Sequence, residues 1–344
     1  MSSRLGVVFE PAGSGFHTFR IPAVVARDEL VLAFCEGRRH GPGDSGEIEL
    51  VLRRSLDGGL TWLPLQVVLA VPGKTCGNPA PVFDPVSGDV VLVSVQNGAE
   101  AAESSLARGT DSEDGRRVFV QRSADAGATW SAPVEITEQV KPADWGWYAT
   151  GPCHAIALRS GRLVVPANHS ALPDGVNGGH CIVSDDGGHT WSVGFVDRND
   201  GPEINANENA VAELPDGRLY FNARNHLGTG PARVHAWSSD GGATLEAPYA
   251  GIPEVTGPGI QGSVLALPDG RLLLSTPTDP AVRRELAVFV SSDAGASWEP
   301  LLVVHPGMAG YSDLVLLADG SVGIFYEAGE TSSFAALRFA TFAL

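Results

Sequence analysis

Ser55-Leu56-Asp57-Gly58-Gly59-Leu60-Thr61-Trp62 is the first of five copies of one short pattern, Ser-x-Asp-x-Gly-x-Thr/Ser, and four copies end in Trp. The others occupy residues 123–130, 184–191, 238–245 and 291–298, with Leu245 standing where the fourth copy departs from Trp. Their aspartates (Asp57, Asp125, Asp186, Asp240 and Asp293) lie 68, 61, 54 and 53 residues apart, so the chain is assembled from repeated units. Each copy follows a short β-rich run, at residues 48–51, 118–121, 181–183, 234–237 and 286–290. Asp can bond its own backbone and Gly supplies positive φ, so the pattern is a turn between two strands. The aspartates are therefore structural, and the indoles are free to pack beneath the turns.

A second repeat runs in counterpoint: a turn followed by an apolar run at residues 28–34, 87–93, 160–165, 216–221, 269–274 and 319–325. Six hairpins in 344 residues give about 57 residues each, a usual blade size. The sixth unit lacks an Asp turn, and amphipathic helical stretches are nearly absent. The expected fold is all-β: a six-bladed β-propeller occupying residues 1–344 as a single domain, with no room for an accessory lectin domain.

Composition narrows the partners. Lys and Arg number 23 against 40 Asp and Glu, a net charge of −17, which argues against nucleic acid and against a polybasic membrane surface. No run approaches the apolar length of a membrane helix. The N-terminus shows no apolar signal region, so a cytoplasmic location is expected. Cys35, Cys76, Cys153 and Cys181 have neither metal nor redox spacing and are expected as buried free thiols.

A propeller does not specify an activity; the site does. In Phe19-Arg20-Ile21-Pro22 an Arg stands among apolar residues at the head of the first strand, placed either to snorkel or to enter a cavity. This motif, the repeated Asp turns and their order resemble the exo-sialidase (neuraminidase) family over essentially the whole chain. The resemblance implies a retaining exo-α-sialidase that removes terminal sialic acids from oligosaccharides, glycoproteins or glycolipids, works without metal or cofactor, and is a monomer or weak oligomer.

The resemblance also implies roles for particular residues. Three arginines would bind the sugar's carboxylate through paired, charge-assisted hydrogen bonds: Arg20, Arg224 and Arg283, with Arg284 an alternative to the last. Tyr311, in Gly310-Tyr311-Ser312-Asp313, would be the nucleophile, because a carboxylate there would face the substrate's own carboxylate. Glu208 would be its base; Glu213, alternating with apolar residues, reads as solvent-facing. Asp44, in the Gly/Pro-rich loop after Arg38, would be the general acid, its pKa raised once substrate displaces water. Arg38, or else Arg39, would contact the substrate, and Glu36 would orient Arg20. Asn78 resembles the position near the N-acetyl pocket, Trp147 and Tyr148 the glycerol side, and Gln261 the site floor; His154 reads as structural. Two rivals remain: the same chemistry on a nonulosonic acid with another C5 substituent, and a non-catalytic propeller that binds glycans or proteins.

Overall fold

The computed structural model describes residues 4–109, 114–198, 201–226 and 228–344. Among them the fold is all-β, and the only helices, Glu103–Leu106 and Thr137–Val140, are single turns. The strands form four hydrogen-bonded sheets of antiparallel neighbours. One holds Thr18–Arg27, Leu30–Arg38 and Ile48–Ser55, then Lys74–Phe83, Val90–Gly98 and Arg117–Ser123; its halves meet through a single parallel bridge, Ile48 to Thr75. Trp145–Thr150, Leu163–Ala171, Val176–Ser184 and Ser192–Val196 build the second sheet. Ala206–Glu213, Leu219–Asn225, Arg233–Ser238 and Ala250–Gly251 build the third.

The fourth sheet runs from Ser263–Ala266 through Leu272–Pro277, Arg284–Ser291, Glu299–Leu316, Val322–Gly329 and Ala336–Phe342 to the N-terminal strand Arg4–Phe9. Its 18-residue strand Glu299–Leu316 pairs with Arg284–Ser291 through its first half and with Val322–Gly329 through its second. Arg4–Phe9 closes the last unit by pairing with Ala336–Phe342, Leu5 opposite Ala340. That unit takes its outer strand from the opposite end of the chain, which is why it carries no Asp turn.

The strands are rich in Val, Leu, Ile and Phe, and the middle ones are buried on both faces because neighbouring units pack on each side. Val31, Ala33 and Cys35 share one apolar cluster with Val315, Phe325 and Phe339; Val91 and Val93 share another with Leu163 and Val165. All four cysteines are buried free thiols, as expected.

The five turns repeat one hydrogen-bond pattern. In the first, Ser55 Oγ donates to Asp57 Oδ1 at 2.7 Å, and Asp57 accepts from Thr61 N at 2.8 Å and Thr61 Oγ1 at 2.6 Å. The indoles do more than pack beneath their own turns. Trp62 meets Phe339 at 5.4 Å between ring centroids, Trp130 meets Phe34 at 5.7 Å and Trp298 meets Tyr220 at 5.8 Å. Each of these partners lies in the preceding unit, so the turn motif is also an adhesive between neighbours. Leu245 performs the same task in a cluster with Cys181 and Val183.

The first strands of several successive units also touch one another. Thr18–Arg27 meets Lys74–Phe83, Ala206–Glu213 meets Ser263–Ala266, and Glu299–Leu316 meets Thr18–Arg27 again. Candidate site residues distant in sequence are delivered to a common centre by this arrangement.

Candidate active site

Five of these inner strands break register where they carry a candidate residue. Irregularities fall between Arg20 and Ala23, Gly77 and Ala80, Trp145 and Tyr148, Ala206 and Asn209, and Ala309 and Ser312. They contain or adjoin Arg20, Asn78, Trp147, Glu208 and Tyr311. A bulge rotates the backbone locally and re-aims side chains, and here the aim is inward. Ile21 and Asn78 hold φ of 62° and 52°, and for β-branched Ile21 that is a strained value that the surrounding structure must enforce.

The result is a cavity of about 210 Å³ lined by Arg20, Arg38, Asp44, Asn78, Glu208, Arg224, Arg283 and Tyr311, with Glu36, Glu103, Arg116, Trp147, Asn168, Asn207 and His226 also on its wall. At its floor Tyr311 Oη donates a short hydrogen bond to Glu208 Oε1. Arg224 Nη1 donates to Glu208 Oε2 at 3.0 Å and to the Tyr311 oxygen at 3.4 Å. Burial pushes the phenol's pKa up, and the neighbouring Glu208 adds to this; Arg224, Arg20 and Arg283 oppose it. The phenol is therefore neutral at rest, with its proton aimed at a carboxylate.

Three guanidinium groups surround the phenol. Arg20 and Arg283 approach its ring face at 5.2 and 5.4 Å from the centroid. Arg20 Nη2, Arg224 Nε and Arg283 Nη1 are each buried without a hydrogen-bonding partner in the protein. Buried donors left unpaired are costly, and the three residues that carry them all line one cavity. Arg284 points away, to Met308 and Asp279 on the surface. Arg39 is likewise outside, engaged with Glu49 and stacked on Phe16. The cavity thus takes Arg283 and Arg38.

Arg20 is held differently from the expectation. Its Nε donates to Glu327 Oε1 at 3.1 Å, and the same buried carboxylate accepts from Ile21 N and Tyr311 N, each at 3.1 Å. Glu36 instead binds Arg38, at 2.6 Å, and accepts from Asn78 N at 2.9 Å. Although Arg20 stands opposite Glu36 in the strand pair, its guanidinium turns to the carboxylate of a strand far along the chain. Gly310 permits this approach, because a Cβ there would collide with the Glu327 carboxylate.

Asp44 Oδ1 lies 2.7 Å from Arg38 Nη2 and 3.3 Å from Arg20 Nη1. Burial pushes its carboxyl up, but Arg38 and then Arg20 pull harder, and the balance holds it below its ordinary value. In the resting site it is an ionised carboxylate rather than an acid.

Two expected contacts lie elsewhere. Tyr148 is fully buried in the cluster of Trp145, Leu163 and Val165 and does not reach the cavity. The bulge beside it reverses the strand's inside and outside, so Trp147 faces inward in its place. Gln261 is also buried: its amide nitrogen donates to Pro152 O and Ser312 O at 3.0 Å, and its oxygen accepts from Ser312 N at 3.1 Å. It braces the residue after Tyr311 instead of meeting a ligand. Glu213 pairs with Arg159 at 3.2 Å, outside the cavity. His154 bonds Asp313 at 2.8 Å; burial opposes its charge, but Asp313 prevails and raises its pKa.

Arg116 and Glu327 were not singled out from sequence. Arg116 Nη2 donates to Asn78 Oδ1 at 3.0 Å and Nε to Tyr148 O at 2.8 Å, and its guanidinium lies 3.9 Å over the Trp147 ring. Burial lowers its pKa to about 10, and no carboxylate reaches it within ion-pair distance among the described residues. The signal for Glu327 was a lone carboxylate in the otherwise apolar run Val322–Gly329. Arg116, in a consecutive Arg pair at a strand head, had a weaker one.

Comparison with known proteins agrees with this site. The family model for a BNR repeat-like domain matches residues 28–324. An exo-α-sialidase of Aspergillus fumigatus is 33% identical, the match covering 92% of this chain and 80% of that protein. Sialidase-2 of Mus musculus is 31% identical over 92% of this chain and 90% of its own length. Among solved structures, a Hadza microbial sialidase superposes with a TM-score of 0.84 at 27% identity, covering 96% of this chain and 66% of that one. The intramolecular trans-sialidase of Ruminococcus gnavus, in complex with oseltamivir carboxylate, shares the fold with a TM-score of 0.82 at 19% identity, covering 98% and 96%. Fold and relatives together define a glycoside hydrolase with a propeller-like all-β scaffold. Within that class the chain belongs to the exo-α-sialidase (neuraminidase) family with BNR repeats.

Proposed function

We propose that this chain is a six-bladed propeller and a retaining exo-α-sialidase that hydrolyses terminal sialic acids from glycoconjugates through a covalent glycosyl-tyrosine intermediate. The observation that carries this is the Tyr311–Glu208 hydrogen bond set among three arginines with unpaired buried nitrogens. Arg20, Arg224 and Arg283 bind the substrate carboxylate and present the anomeric carbon to the phenol. Tyr311 Oη attacks that carbon while its proton passes to Glu208, and Asp44 protonates the departing glycosidic oxygen. Asp44, now a carboxylate, takes a proton from water as the water attacks the same carbon. The phenolate leaves and recovers its proton from Glu208. Two displacements at one carbon retain the configuration.

A second reading, the same chemistry on a sugar bearing hydroxyl at C5, is favoured by Arg116. Arg116 is on the cavity wall between Asn78 and Trp147, its nitrogens bonded to Tyr148 O, Asn97 Oδ1 and Asn78 Oδ1, so this stretch of wall is charged rather than apolar and suits a hydroxyl better than an acetamido methyl.

The test is release of a fluorescent phenol from its α-N-acetylneuraminic acid glycoside and from the C5-hydroxyl analogue, with Tyr311→Phe in parallel. Turnover of either by the wild type and its loss in the variant support the mechanism and name the sugar. Wild-type turnover by Tyr311→Phe would remove Tyr311 as nucleophile.

A further inference from the structure

The anion site of the resting enzyme already holds a carboxylate, and it belongs to the protein. Asp44 Oδ1 sits between Arg38 Nη2 and Arg20 Nη1, at 2.7 and 3.3 Å. Neither arginine depends on it for orientation. Arg38 is gripped from behind by Glu36 at 2.6 Å, and Arg20 by Glu327 at 3.1 Å. Asp44, by contrast, bonds only these two cations among the described residues, and its side chain is 57% exposed. Its loop, residues 41–46, contains Gly41, Pro42, Gly43 and Gly46 and is pinned at its ends. Arg38 donates to Pro42 O, and Thr75 Oγ1 donates to Gly46 O at 2.7 Å. Ser45 Oγ reaches Ala101 O at 3.1 Å. Fixed ends with Gly43 beside Asp44 leave the carboxylate free to swing while the loop stays in place.

Resting on the sialidase reading above, we propose that Asp44 is a built-in competitor for the substrate carboxylate, displaced from Arg20 and Arg38 when substrate binds and protonated as it leaves them. The charges around it make the second half follow from the first. The cations that face it are Arg38, Arg20, Arg283 and, further off, Arg116. The anion that faces it is Glu103, on the single turn Glu103–Leu106. A substrate carboxylate held by Arg20, Arg224 and Arg283 offsets the pull of Arg20 and Arg283 on Asp44, and the Arg38 that Asp44 leaves behind stays paired with Glu36. What then acts on Asp44 is the cover of the bound sugar and the charge of Glu103, and both favour the neutral acid. The proton comes from solvent on binding, passes to the glycosidic oxygen during bond cleavage, and is replaced from the attacking water. The same charge that anchors the substrate thus arms the acid.

Because binding and protonation are linked, each can be read from the other. The measurement is titration calorimetry of the 2,3-unsaturated analogue of N-acetylneuraminic acid, which keeps the carboxylate. It is run at about pH 6 in buffers of different ionisation enthalpy. Wild type is expected to take up a fraction of a proton per ligand bound. Asp44→Ala is expected to take up none and to bind about three- to tenfold tighter, since a partly exposed competitor has been removed. Asp44→Asn, which keeps the shape without the charge, should also show no uptake. Binding by wild type without proton uptake, or no tightening in Asp44→Ala, would overturn the competitor role and leave the sialidase reading intact. Failure of wild type to bind the analogue at all would overturn both.

Discussion

Replacing Glu327 by Gln tests the tie between the anion site and the nucleophile. The carboxylate accepts three hydrogen bonds: Oε1 from Arg20 Nε and Ile21 N, and Oε2 from Tyr311 N, all at 3.1 Å. It is wholly buried. An amide of the same shape has one acceptor oxygen. Turned toward Arg20 and Ile21, it aims an N–H at the Tyr311 N–H; turned the other way, it faces two donors with a third. Breaking a buried ion pair by removing one partner costs about 3–5 kcal/mol. Here the lower end applies, because Asp44 still stands 3.3 Å from Arg20 and the amide retains part of the hydrogen bonding. At roughly 2 °C per kcal/mol for a chain of this length, about 3 kcal/mol corresponds to a fall in Tm of about 6 °C. Thermal unfolding by circular dichroism at neutral pH reads this, and steady-state kinetics should show a raised KM as Arg20 loses its brace. A fall in Tm below about 2 °C with an unchanged KM would refute the idea that Glu327 ties Arg20 to the Tyr311 strand.

Asp44→Ala should lose about 10²–10⁴-fold in kcat with alkyl glycosides, whose oxygen needs a proton, and far less with activated phenyl glycosides; equal losses in kcat on both would remove Asp44 as the acid. Gly310→Ala places a Cβ against the Glu327 carboxylate, and denaturant unfolding should show a loss of about 1–3 kcal/mol together with reduced turnover. The turn aspartates make stability depend on acid. Hydrogen bonds from Thr61 and Ser55 hold Asp57 down to about 2, and equivalent bonds hold Asp125 and Asp240 there against the pull of burial. A depressed carboxyl contributes its stabilisation fully above its unfolded value and loses it as pH falls through the folded one. The contribution of the turn aspartates to Tm should therefore be constant from neutral pH to about pH 5 and be lost between about 4 and 2. Asp57→Asn should be less stable than wild type at neutral pH, with the gap closing toward about pH 2.

The turn repeat and the all-β class were legible in the chain because their causes are local, whereas the arginines were singled out as carboxylate binders only through the family resemblance. Asp, Gly and Thr at fixed offsets close a turn wherever they occur, as the repeated bonds at Asp57 and Asp125 show. What sequence left undecided concerned direction and distance. Simple alternation gives no means of choosing Trp147 over Tyr148, because a bulge between Trp145 and Tyr148 resets which side is inward. Arg283 and Arg284 are adjacent, and only the pairing of Arg284 opposite Met308 sends one out and leaves the other in the cavity. Glu36 was the nearer carboxylate to Arg20 in the chain, yet Glu327, 307 residues away, is the one in contact. The ionised state of Asp44 likewise arises from Arg38 and Arg20 meeting over one oxygen. Turn chemistry is short-ranged and written in consecutive residues. The charge balance of the site depends on strands that become neighbours only when the sheets pack together.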